Sequence, residues 1–230
     1  MGKMEGLFMD RDGTMMTRRL VLGGCAGMIG LGLAPAALAK IPASGIKGLI
    51  AGASDGALDR LAQPGAFYAD TAVRILLPGT SGKLASKLMG AGDKLGLTTK
   101  LTKSLNDAGG KAAGEAKPIF RAAIDDLRWN DVPSLVSKRD GATRYLQSSA
   151  GGVLGERIQP LVASALDEVG AFRQLDQLSG NNQLLSLAGI SHDSLTGSVT
   201  QQALKGIFLY MGNEEAALRR NPGKLLKGLF

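Results

Sequence analysis

Cysteine is almost missing from this chain. The only one among 230 residues is Cys25, and it sits in an apolar leader, so the remainder can form no internal disulfide. Histidine is as scarce: His192 stands alone. A dedicated zinc or copper site needs several sulfur or imidazole ligands, and no loop gathers enough acids for calcium, so no metal and no cofactor is expected. Aromatic residues make up 4% of the chain. With no basic stripe interleaved with rings, nucleic acid is excluded as a partner. No run of like charges reaches five, no stretch alternates long enough for a sheet, and no segment repeats at a fixed period.

What is present begins with Met16 to Ala39, MTRRLVLGGCAGMIGLGLAPAALA. Arg18 and Arg19 precede a short apolar run, and Ala37 and Ala39 place small residues at −3 and −1. That is the pattern of a secretory signal. The run is glycine-rich and shorter than the ~20 residues of a membrane span. The setting T-R-R-L-V-L resembles a twin-arginine export signal, which carries proteins already folded. Residues 1–39 therefore read as an N-terminal extension and export signal, with the export machinery as its partner. Residues 40–230 read as one helical domain working in the periplasm. The alternatives are an ordinary secretory signal, or an uncut leader that attaches the chain to the membrane. Leu22-Gly23-Gly24-Cys25 is a poor lipoprotein box, because the apolar run follows the cysteine instead of preceding it. Ahead of the leader, Asp10-Arg11-Asp12-Gly13-Thr14 matches the first motif of haloacid-dehalogenase-type phosphatases. An export signal follows it where an α/β core belongs, so a chance match is the reading.

Beyond the leader the spacing is helical almost throughout, and the fold class is all-α, a single domain of several short helices. Ser44 to Leu61 carries a clear apolar stripe, with Ser44 as N-cap. Phe67 to Pro78 reads as extended or irregular. Leu84 to Leu95 and Thr98 to Asn106 are helical, and Asp107-Ala108-Gly109-Gly110 is expected to loosen the second. Glu115 to Trp129 is strongly patterned, with Pro118 tolerated in its first turn. Val132 to Lys138 and Asp140 to Gln147 follow as short helices. In Leu154 to Val169, Pro160 must sit in the first turn or kink the helix. Phe172 to Leu178 adds a turn or two, Ser179 to Leu195 reads as the longest loop, and Val199 to Arg220 closes the pattern. Within it Glu214 and Glu215 face Arg219 and Arg220.

Four ordered blocks resemble a bacterial exported family catalogued as domain of unknown function 4197. They are Ala72-Val73-Arg74-Ile75-Leu76-Leu77-Pro78, Glu115-Ala116-Lys117-Pro118-Ile119-Phe120, Gly141-Ala142-Thr143-Arg144-Tyr145-Leu146, and Val199 to Phe208 with Glu214-Glu215, Arg219, Pro222 and Leu225 to Phe230. Leu76 stands where the family usually has proline, and Lys205 where it usually has an acid. The resemblance implies export and a helical fold, and no reaction.

The candidate chemistry is sparse. Val73 to Met89 looks like strand, glycine loop, lysine, helix. However, Leu77 and Leu84 replace the glycine and hydroxyl residue that a phosphate-binding loop requires, so a turn before a helix is the reading. Ser191, His192 and Asp193 are sequence neighbours whose side chains diverge, which rules out a relay within the segment. The acid pairs Asp125-Asp126, Asp167-Glu168 and Glu214-Glu215, with Glu115 and Asp131, are candidates for acid–base hydrolysis. Neighbours on a helix point about 100° apart, so each pair needs help from elsewhere in the fold. Arg74, set among apolar residues, requires a partner or an anionic ligand if buried; Glu115 and Glu214 are its candidate partners in a structural ion pair. The tail Lys224 to Phe230 docks on the core, or makes at most weak contact with a membrane surface.

No catalytic constellation emerges, and the residues lean away from an enzyme. The expectation is a binding or interaction protein of the cell envelope, with a lipid-like or other apolar small molecule, or an envelope partner, as ligand. The alternative is a carboxylate-dependent hydrolase or lyase acting on envelope polymers. The second alternative is a structural envelope protein. No oligomeric state is specified.

Overall fold

The stripe Ile46, Ile50, Ala53, Ala57, Leu58 and Leu61 repeats every three to four residues, and all six side chains are buried. This is the first helix, α1 (Ala43–Leu61), of a computed structural model that describes residues 43–78, 96–129, 138–180 and 190–221. After it come α2 (Ala66–Ala69), α3 (Leu97–Glu115), α4 (Lys117–Asp126), α5 (Gly141–Glu168), α6 (Ala171–Gly180) and α7 (His192–Arg220). The fold is all-α: the described residues contain no strand. The export signal at 16–39, the phosphatase-like motif, the helix expected at 84–95, all but Lys138 of the helix expected at 132–138, Asp131 and the tail 224–230 lie outside the described residues.

α7 is the axis. α1 packs along one side of it and α5 along another, and α3 contacts α1, α5, α6 and α7. One apolar core runs through all of these helices, from Ile50 and Leu58 through Leu105, Phe120 and Leu154 to Val199 and Met211. Phe120 of α4 meets Phe208 of α7 edge to face at 6.0 Å, a geometry that aromatic quadrupoles favour. At its surface α4 is tied to α1 by the ion pairs Lys117–Asp59 and Arg121–Asp55. Among the described residues no helix is long and apolar enough to cross a membrane.

Several boundaries differ from the sequence reading. α3 does not loosen at Asp107-Ala108-Gly109-Gly110 but runs on to Glu115. Its glycines are where other parts of the chain touch it. A Cβ on Gly109 would lie 2.5 Å from Ile75 Cδ1, and one on Gly110 3.3 Å from the Leu61 carbonyl. The segments read as Asp140–Gln147 and Leu154–Val169 form one helix, α5, continuous through Ser148 to Val153 and through Pro160. Burial of Ala150 and Leu154 outweighs the weak propensity of that serine–glycine stretch. Pro160 and Glu156 are both exposed, so the loss of the hydrogen bond that a proline cannot donate falls on the surface of the helix. α7 begins at His192, not Val199, because Ser191 and Ser194 form a capping box: each side-chain oxygen accepts from the other's backbone N–H. Residues 66–69, expected to be irregular from Phe67, form one helical turn that buries Phe67. Residues 70–78 are non-helical, as the pattern suggested.

Candidate functional site

The first four N–H groups of any helix lack partners within it. At α5 an aspartate, Asp140, holds the N-cap position, yet its side chain caps nothing. The cap comes from α7. Glu215 accepts from the backbone N–H of Ala142 at 3.1 Å, and from the N–H and hydroxyl of Thr143, each at 2.7 Å. One turn on, Arg219 donates to the same carboxylate through Nε at 2.9 Å and Nη2 at 2.6 Å. Glu215 is fully buried and the Arg219 side chain is 8% exposed. A buried carboxylate survives only when its oxygens are filled in this way. The latch therefore fixes the start of α5 against the end of α7.

Asp140, released from capping, accepts from Arg144 Nε at 2.8 Å. Gly212 of α7 lets this turn come close: a Cβ there would stand 3.3 Å from Asp140 Cβ. Between the two helices lies a groove of about 420 Å³, lined among others by Arg139, Arg144, Phe208, Leu209 and Arg220. A second hollow of about 260 Å³, beside Lys138 and Tyr145, shares Arg144. Three arginines and one carboxylate thus line the first groove, beside a Leu209 that is 44% exposed. The far wall is braced from behind: the Tyr145 hydroxyl donates to the Arg128 carbonyl, the Trp129 indole donates to the Ile124 carbonyl, and the two rings meet at 5.3 Å.

Further along α7, toward its start, residues 70–77 form a strap between α3 and α7. Asn106 reads Ile75 as a neighbouring strand would, accepting from its N–H and donating to its carbonyl, both at 2.8 Å. Gln202 does the same for Leu76, both at 2.9 Å. Gly206 gives the strap room; a Cβ there would meet Phe67 at 3.0 Å and Val73 at 3.1 Å. Asp70 anchors the start of the strap. The Ala72 N–H and then the Tyr210 hydroxyl, both donating to it, hold its carboxyl below the ordinary carboxylate range. The same bond, with burial, raises the Tyr210 phenol.

The structure does not bring Arg74, Glu115 and Glu214 together. Arg74 is half-buried; its Nε donates to the Tyr68 carbonyl at 2.6 Å and its guanidinium lies 4.9 Å from the centre of the Tyr68 ring. Glu214 pairs with Arg60 of α1 at 3.0 Å, across Gly56. Glu115 is exposed at the end of α3. The acid pairs are engaged by different cations on different elements: Asp125 by Lys47, Glu168 by Lys111 and Glu215 by Arg219. The Lys111 contact lowers the Glu168 carboxyl and raises the lysine. His192 Nε2 lies 2.8 Å from Asp176 Oδ1, and the ring stacks on Phe172. Among the described residues no three metal-binding side chains cluster.

In the sequence Arg139 and Asp140 did not stand out as site residues, while Arg144 was seen only within a family block and Arg220 only as a partner for the acids of its own helix. The available signal was that Gly141 to Leu146 and the Glu215–Arg219 pair both belong to the blocks carrying the family resemblance, and the fold joins them in one latch.

Fold and site together define an all-α protein built on a central helix, with a cationic groove where two long helices meet. The sequence matches the family described as protein of unknown function (DUF4197) over residues 39–230, and the chain belongs to that family. Neither a curated protein nor a solved structure matches it.

Proposed function

We propose that this is an exported, non-catalytic binding protein of the cell envelope whose ligand occupies the groove between α5 and α7. One observation carries the reading: cationic and apolar lining coincide in that groove, where Arg139, Arg144 and Arg220 share the space with an exposed Leu209. Small-molecule sites are concave and combine apolar surface with convergent polar groups; this groove has both, weighted toward charge. Of the acids that hydrolysis could use, Asp125, Glu168, Glu214 and Glu215 are engaged in separate ion pairs. Export rests on the paired Arg18 and Arg19 ahead of an apolar run ending in Ala37-Leu38-Ala39, and the family match begins at that end.

Native mass spectrometry of the protein from a periplasmic fraction, set against a denatured sample, tests the reading. The expected result is a chain beginning at Lys40 that carries extra mass lost on denaturation. An uncut chain found in the cytoplasm would remove the export reading, and a bare mature chain would move weight to a structural role.

A further inference from the structure

We infer that the α5–α7 groove selects an anionic amphiphile, with an oxyanion head held by the arginines and an alkyl chain laid on the exposed Leu209; this rests on the binding reading above. The charge is concentrated and incompletely used. Arg139 forms no ion pair among the described residues. Arg144 gives Asp140 only its Nε, which leaves both terminal amino groups of its fork available. Arg220 Nε reaches just the Ala216 carbonyl, at 3.2 Å. Guanidinium forks match the paired oxygens of phosphates and carboxylates, and several converging forks give both charge and geometry.

The helix N-terminus beside the groove contributes little, because Glu215 already takes the N–H groups of Ala142 and Thr143. Recognition of the head therefore falls on side chains. The Asp140 carboxylate opposes an anion, and its role is to orient Arg144. An oxyanion alone would leave Leu209 uncovered, 44% exposed. An apolar molecule alone would strip water from Arg139, Arg144 and Arg220 without replacing it, which is unfavourable. A molecule with both parts satisfies both surfaces.

The test is calorimetric titration of the full chain with octyl phosphate, octyl glucoside and inorganic phosphate, each below its micelle threshold where one exists. Octyl phosphate is expected to bind, to weaken as salt rises, and to lose at least tenfold in affinity in Arg139→Gln/Arg144→Gln. Arg220→Gln is the second variant, and thermal melts confirm that both are folded. Octyl glucoside binding as tightly, unmoved by either variant, would overturn the anionic head while leaving the binding reading in place. Inorganic phosphate binding as tightly, unmoved by Leu209→Ser, would overturn the alkyl chain and leave a plain oxyanion site. No binding of any of the three would overturn this inference and the choice of groove together.

Discussion

Asp140–Arg144 and Glu215–Arg219 have the same grammar, an acid followed four residues later by an arginine, and they sit at the same helix junction. Their surroundings are opposite. In the first pair the Arg144 side chain is 63% exposed; in the second, Glu215 is fully buried. The strap repeats the contrast with amides. Asn106 clamps a buried Ile75, and Gln202 clamps a Leu76 that is 52% exposed. Spacing creates each contact, but burial decides what its loss costs, because water can replace a partner only where water reaches.

The largest effect is expected at the buried latch. Glu215→Ala leaves Arg219 buried without its carboxylate and α5 without its cap, for a loss of about 3–5 kcal/mol in denaturant unfolding. Glu215→Met combined with Arg219→Leu should cost much less, since no uncompensated charge remains. Asp140→Asn should cost under about 1 kcal/mol. Equal losses for the latch and its exposed twin would break the comparison.

The amide clamps come next. Asn106→Ala strands the N–H and carbonyl of Ile75 in the core, for about 1–3 kcal/mol, while Gln202→Ala, measured in the same way, should cost a fraction of that. A larger loss at Gln202 would mean that the strap is held from its exposed side.

The smallest effect is a pH dependence at the strap's anchor. Asp70 is held below its ordinary value by the Ala72 N–H first and Tyr210 second, so its contribution to stability is present above the ordinary carboxylate range and fades as pH falls through it. Tyr210 is raised, so its contribution is full below the ordinary phenol range, about 10, and fades as pH climbs through the folded value. In melts across pH, Tyr210→Phe should remove its share of the alkaline decline and only part of the acid one, since the Ala72 bond remains. An unchanged alkaline limb would dismiss the Tyr210–Asp70 bond as a contributor.

The helical class was legible because it rests on local spacing: the stripes of α1 and α4 read directly from Ile46 to Leu61 and from Phe120 to Ile124. The pairing of Glu215 with Arg219 was legible too, four residues apart on one helix. Which of the adjacent acids is buried was not, because that depends on α5 arriving from 72 and 73 residues away. Asn106 looks like any polar helix residue until Ile75, 31 positions earlier, is laid beside it. The groove was hidden for the same reason: Arg139 and Arg144 precede α7 by most of two helices. Ser148 to Gly152 misled in the other direction, since weak helix formers were read as a break where packing holds α5 whole.

The long reach of the Gln202 clamp has a consequence in time. It joins residues 126 positions apart, and α7 is also the helix against which α1 packs. A chain emerging in order makes α1, the strap and α3 well before the surface that receives them. Contacts of such high sequence separation are slow to close and cannot form piecemeal during synthesis. The closing helix acts as a keystone: until it is made, the part of α1 that packs on it and the Leu76 backbone that Gln202 clamps wait exposed, and a nascent chain cut short before His192 has lost the element that would have covered them.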